Sequence, residues 1–206
     1  MKRRRFLASA FAAAVASAGG ASLAGAADAE VGAVRIRPSG KWMGMRRRFE
    51  VQCRSGHSCL REWDALVSFM REIDDSARMA FANDYLNAAP YRSDNSVYQV
   101  SDHWATPLDF LANGGDCEDF AAAKYLALAA SGLPESRLRV LIVRSDSWRE
   151  AHAVAAMQGK GGWYILDNNA PGPIRAGSGL GFQTLYALSG EDRWMCLGGA
   201  RICSVM

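Results

Sequence analysis

The chain has 206 residues, half of them hydrophobic and 22% charged; that balance excludes a disordered chain and suffices for one domain with a sizeable core. Its formal charge is +3, from 24 Lys and Arg against 21 Asp and Glu. Four of the basic residues and none of the acidic ones lie in residues 1–26, so the remainder carries 20 against 21, a charge of −1. No basic stripe with interleaved aromatics remains, which excludes nucleic acid as a partner.

The N-terminus reads as an export signal. Lys2, Arg3, Arg4 and Arg5 precede an apolar, small-residue stretch over residues 6–16 that is too short to span a bilayer. Ala24-Gly25-Ala26 fits the small-x-small cleavage pattern, and Ala27-Asp28-Ala29 is a second candidate. Arg3-Arg4-Arg5-Phe6-Leu7 resembles a twin-arginine signal; a general secretory signal with an extra arginine is the alternative. The expectation is removal of residues 1–26, a single domain over residues 27–206, and a periplasmic location.

Residues 30–58 show no clear period, and Arg46-Arg47-Arg48 reads as a solvated face. Export favours pairing of cysteines. The five here leave one over, and Cys53 with Cys59 and Cys196 with Cys203 are simple local pairs, although cross-pairing stays open. His57, between Cys53 and Cys59, raises a small zinc site as a rival, but the spacing matches no standard site. Residues 60–80 predict a helix from Leu60, Trp63, Leu66, Val67, Met70 and Ile73. A weaker helix follows near residues 79–86, and residues 88–106 read as loop.

Gly114-Gly115-Asp116 then breaks the chain, and residues 117–130 are rich in helix formers up to the stop at Gly132 and Pro134. Strands are predicted over residues 138–143, 151–157 and 163–166, the last two joined by a glycine-rich turn, with two or three short strands beyond Pro173. Helices followed by an antiparallel sheet make an α+β layout.

Cys117, the unpaired cysteine, opens its helix, where unsatisfied N–H groups and the dipole favour an anion. A thiolate there is expected to have a lowered pKa, and the same N–H groups can hold an oxyanion. A lone cysteine is more often a buried structural residue, so the partners matter. His152 lies on the second predicted strand between small neighbours, Ala151 and Ala153. Asp167 ends the third. If those strands pair, the carboxylate reaches the imidazole, fixes its tautomer and stabilises the imidazolium.

Gly115-Asp116-Cys117-Glu118-Asp119-Phe120-Ala121, with Lys124-Tyr125 behind it, resembles the nucleophile segment of the bacterial transglutaminase-like cysteine proteinases, the family of LapG-type periplasmic proteases. Trp104-Ala105-Thr106-Pro107, Ala151-His152-Ala153-Val154 and Tyr164-Ile165-Leu166-Asp167-Asn168 are similar to its other segments. The resemblance runs from about residue 60 to residue 170. It implies a papain-like, transglutaminase-like fold with a Cys117-His152-Asp167 triad. It also implies calcium held by Asp116, Glu118 and Asp119, whose carboxylates suit a hard cation and would otherwise raise the pKa of the neighbouring thiol. Complementing the helix N-terminus is the other role for these acids. The implied substrate is a surface adhesin cut near its N-terminus, often beside paired alanines, so that the adhesin is released and biofilm disperses. The implied partner is an inhibitory inner-membrane receptor that senses cyclic di-GMP. The same triad would support transglutamination if an amine replaced water, and a non-catalytic binding module on the same fold is a further alternative. The pattern departs from the family at His103, where an aromatic is expected, around Cys53, His57 and Cys59, and in the tail from Gly172.

Overall fold

An alanine-rich helix and an alanine-rich strand can approach each other closely, and that contact organises this protein. In the computed structural model, which describes residues 33–36, 40–145, 151–177 and 181–196, the elements in order are β1 (Ala33–Ile36), α1 (Gly40–Ser55), α2 (Leu60–Arg71), α3 (Asp75–Asn87), α4 (Asp94–Tyr98), α5 (Pro107–Asn113) and α6 (Cys117–Ala130). A short 3-10 turn at Glu135–Arg137 leads to β2 (Leu138–Ser145), β3 (His152–Gly159), β4 (Gly162–Leu166), β5 (Ile174–Arg175), β6 (Phe182–Ser189) and β7 (Asp192–Cys196). The strands form one antiparallel sheet in the order β1-β7-β6-β2-β3-β4-β5. The α+β expectation is met. The stretch expected to be an export signal, and Cys203, lie outside the described residues.

Every residue of α6 from Asp119 to Leu128 is buried, so its apolar surface runs all the way round, as a helix enclosed by other elements requires. It packs on β2 and β3 on one side and on α2, α3 and α5 on the other. Ala121, Ala122 and Ala153 are each about fully buried, and their small side chains let helix and sheet come together. The apolar run in β2 has a simple cause. Leu138, Val140 and Ile142 join the core around α6, whereas Leu141 and Val143 join a second cluster with Val154, Ile165 and Ala187 on the opposite face. Alternation along a strand with both faces covered gives a continuous apolar sequence.

Helix α1 occupies most of residues 30–58, where the sequence shows no clear period. Its buried stripe is only about one residue per turn, Trp42 and Met45 with Phe49 packed alongside, too thin a signal among Arg46, Arg47 and Arg48. Those arginines are not a uniform solvated face. Arg46 pairs with Glu135 at 2.8 Å, and Arg48 donates to the Trp104 carbonyl. Trp42 meets Trp104 and Tyr125 edge-on and donates from Nε1 to the Gly190 carbonyl at 2.8 Å. The helix expected over residues 60–80 is two helices, because Asp74 caps α3 by accepting from the N–H groups of Ser76 and Ala77. Helix α5 has the same logic: Thr106 is its N-cap and Pro107 its first residue.

Candidate active site

The turn that presents Cys117 is built on two glycines. Gly114 has φ 74°, and a Cβ there would lie 2.2 Å from the Pro90 carbonyl oxygen. At Gly115 a Cβ would lie 2.3 Å from Asp119 Oδ2. Without side chains, Gly115 exchanges main-chain bonds with the segment before α4, donating to Pro90 at 3.3 Å and accepting from Arg92 at 2.8 Å. Asp119 closes the turn from the other side. Its Oδ2 accepts from the Asp116 N–H at 3.3 Å and its Oδ1 from the Ala105 N–H at 2.7 Å. One carboxylate thus caps α6 and ties it to the Trp104-Ala105 segment.

Cys117 is the first residue of α6, partly buried, with its thiol donating to Glu118 Oε2 at 3.2 Å. The Ala153 main chain also hydrogen-bonds the sulfur, which sets Cys117 against β3 one residue from His152. His152 and Asp167 are each 8% exposed, and His152 Nε2 lies 2.8 Å from Asp167 Oδ1. The same oxygen accepts from the Asn169 N–H at 2.9 Å. The β3–β4 register pairs Ala155 with Leu166, so Asp167 follows the end of β4 and meets the imidazole diagonally. Burial pushes the Asp167 carboxyl up, but the hydrogen bonds from His152 and Asn169 and the charges of His152 and Lys124 outweigh it and hold it below the usual range.

The thiol behaves otherwise than the sequence suggested. Burial first, then the Glu118 carboxylate, push Cys117 up, against the lowering effect of the Ala153 main chain. The cause is a dense acidic cluster. Ligand atoms of Asp116, Cys117 and Glu118, of Asp94, Asp116 and Asp119, and of Asp94, Asp102 and Glu118 each lie within 4.8 Å of one another. Burial, then the hydrogen bond and charge of Glu118, push Asp116 up to about 9. Burial is also the main cause that pushes Asp119 up to about 8. Two buried oxygens of the cluster, Asp94 Oδ1 and Asp116 Oδ1, have no hydrogen-bond partner. Orphaned carboxylate oxygens among clustered acids are what a hard cation would satisfy, so the residues present fit calcium. Asp94 and Asp102 were not singled out in the sequence. They lie 15 or more residues before the nucleophile in a polar stretch, and no spacing marks them.

Cys53, His57 and Cys59 form neither of the arrangements considered. Cys53 and Cys59 are free thiols, and both pack on the core as small apolar groups. Both His57 nitrogens are engaged, Nδ1 accepting from the Cys59 N–H at 3.2 Å and Nε2 facing Asp109 at 3.4 Å. Among the described residues, no group able to hold a metal includes any of the three. Cys196 is disulfide-bonded; its expected partner, Cys203, lies outside the described residues.

The model of the bacterial transglutaminase-like cysteine proteinases (BTLCP) matches residues 42–195. No curated protein matches the chain in sequence. The fold is shared with LapG from Legionella pneumophila. The calcium-bound form is 23% identical with a TM-score of 0.58, over 75% of this chain and 87% of that one. The EGTA-treated form is 23% identical with a TM-score of 0.60, over 78% and 88%. A third LapG structure is 24% identical with a TM-score of 0.60, over 78% and 91%.

Proposed function

The chain belongs to the bacterial transglutaminase-like cysteine proteinase family and is a cysteine protease, and from that premise we propose that it is a periplasmic, calcium-dependent endopeptidase that cuts an exported surface protein through Cys117, His152 and Asp167. The observation that carries the residue assignment is the 2.8 Å contact between His152 and Asp167, with the Cys117 sulfur on the main chain of the residue next to that histidine.

With Nε2–H donated to Asp167, Nδ1 is the nitrogen that takes the Cys117 proton. The thiolate attacks the peptide carbonyl, and the N–H groups opening α6 stabilise the oxyanion. The imidazolium, held by the anionic Asp167, gives its proton to the leaving amine. Water, deprotonated by the same ring, then attacks the thioester carbon, the C–S bond breaks, and the acid product and thiol are released.

Asp116, Glu118 and Asp119, joined by Asp94 and Asp102, are the residues that would hold calcium. A bound cation supplies positive charge that offsets these carboxylates beside the thiol. This reading is supported by the two orphaned oxygens and by the pKa values pushed up around them. LapG of Legionella pneumophila has a calcium-bound and an EGTA-treated structure, which agrees with it.

The adhesin substrate, its release from the cell surface, the inhibitory cyclic di-GMP receptor and the periplasmic location follow from the family resemblance and the N-terminal signal. The experiment adds the purified mature protein, or its Cys117→Ala variant, to outer-membrane fractions with calcium or EGTA, and identifies shed fragments by mass spectrometry. One surface protein, shed only by the unsubstituted, calcium-loaded protein, is the expected outcome. Shedding by Cys117→Ala overturns the nucleophile assignment, and shedding in EGTA overturns the calcium dependence. A fragment from a protein of another class replaces the adhesin.

A further inference from the structure

Lys124 is a charged residue that the mechanism above does not use, yet it is 0% exposed. Burying an ammonium is costly unless its donors are matched. Here Nζ donates to Asn83 Oδ1 at 3.0 Å and to the Leu166 carbonyl at 3.2 Å. Leu166 is the residue before Asp167. Asn83 is itself 0% exposed on α3, and Asn87, one turn later on the same face, reaches the same stretch of chain. Its Nδ2 donates to the Asp167 carbonyl at 3.1 Å and to the Ala170 carbonyl at 3.2 Å. Three carbonyl anchors within five residues, at 166, 167 and 170, are therefore held by side chains from α3 and α6.

We propose that Lys124, seated on Asn83, and Asn87 form a buried clamp that fixes residues 166–170 and so aims the Asp167 carboxylate at His152. The proposal rests on the assignment of Asp167 as the orienting carboxylate. β4 ends at Leu166, and no strand pairing holds residue 167. Its direction is set instead by the carbonyls that the clamp grips, by the Asn169 N–H on its carboxylate and by a long turn bond of 3.4 Å from the Ala170 N–H to its carbonyl. Lys124 also stands seven residues after Cys117, two turns along one face of α6. The same rigid helix thus carries the nucleophile and the anchor of the group that orients its base. The ammonium adds a charge effect, since it favours the ionised form of Asp167. Burial pulls Lys124 down to about 7, against the attraction of Asp167 and Asp84. Lys124 and Asn87 touch no reacting atom and are positioning residues.

The test compares Lys124→Met, Asn87→Ala and Asp167→Asn in the calcium-loaded protein. The readouts are kcat and KM, thermal unfolding, and the downfield proton resonance of the His152 Nε2–H, assigned by its loss in His152→Ala. Lys124→Met and Asn87→Ala are expected to lower kcat, by about a hundredfold for a displacement near 1 Å, with KM little changed. The downfield resonance is expected to move or vanish well below the melting temperature, which a purely structural role would not cause. If Lys124→Met does not fold, Asn87→Ala decides, because it removes two bonds at a half-buried position. A folded clamp variant that keeps both kcat and the resonance overturns the clamp. If Asp167→Asn also keeps them, the triad assignment fails and the clamp falls with it. If Asp167→Asn loses activity and the clamp variants do not, only the clamp fails.

Discussion

Gly115→Ala tests whether the nucleophile turn is as tightly built as its geometry implies. The added Cβ would lie 2.3 Å from Asp119 Oδ2, 2.6 Å from its Cβ and 2.9 Å from its Cγ. Asp119 is 1% exposed and cannot simply swing aside. Its two oxygens accept from the Ala105 and Asp116 N–H groups. Either the backbone shifts to make room, or the carboxylate leaves and forfeits both bonds. Overpacking of this kind costs about 1–3 kcal/mol. At roughly 2–4 °C per kcal/mol for a domain of this size, the melting temperature is expected to fall by roughly 2–12 °C. The effect on catalysis is larger than the effect on stability. A shift near 1 Å of the residue next to Asp116-Cys117 is expected to reduce kcat by about a hundredfold. Thermal unfolding by circular dichroism and peptide hydrolysis measure the two. A variant that melts within about 1 °C of the parent and keeps its kcat would refute the reasoning.

Asp94→Asn removes a charge from a carboxylate that is 4% exposed and has one orphaned oxygen; calcium affinity by titration calorimetry is expected to fall by on the order of tenfold or more, and an unchanged affinity removes Asp94 from the site. Burial and the Glu118 carboxylate disfavour the Cys117 thiolate, so alkylation by iodoacetamide near pH ~6 is expected to be faster with calcium than with EGTA; equal rates sink the electrostatic account. Asp116 and Asp119 are raised from 3.8 to about 9 and about 8, so the folded protein without calcium binds more protons than the unfolded chain between those values. Their contribution to stability is present in full below 3.8 and is lost as pH rises towards 8–9. Below about 7, Lys124 does not oppose this trend. Urea unfolding in EGTA is therefore expected to show stability declining from pH ~4.5 to pH ~7, with calcium flattening the decline; a rise in EGTA contradicts it. Thiol titration of the unreduced, unfolded protein is expected to count Cys53, Cys59 and Cys117 as free; a count of one would restore a Cys53–Cys59 bond.

What was legible in the sequence depended on how local its cause was. The strand bearing His152, the turn after it and the strand ending at Leu166, just before Asp167, are neighbours in the chain, and short apolar runs joined by a glycine-rich turn were enough to bring imidazole and carboxylate together. Helix α6 was legible because Ala and Leu dominate it. Helix α1 was not, because Trp42, Met45 and Phe49 make a stripe whose partners, Trp104, Tyr125 and Gly190, are distant in sequence. The same limit hid Asp94 and Asp102. The raised thiol pKa divides along the same line: the carboxylates of Asp116, Glu118 and Asp119 adjoin Cys117 in the chain and their effect is legible there, whereas the burial that outweighs the helix terminus arises only once the chain has folded.

Local and long-range causes meet in the first turn of α6. Asp119 accepts two main-chain N–H groups and also belongs to the acidic cluster. It is therefore at once a cap, a tether for the Trp104-Ala105 segment and a candidate cation ligand. A charge change at Asp119 acts on all three, so a cation bound there would act on the turn mechanically as well as electrostatically. On the proposed reading, a cation bound at the cluster would favour the ionised form of Asp119, and a charged acceptor holds N–H donors more strongly than a neutral one. Both of its main-chain bonds would then tighten together, and the turn carrying Cys117 would stiffen. Gly115→Ala crowds the Asp119 carboxylate itself, so it is expected to disturb the caps and the acidic cluster together.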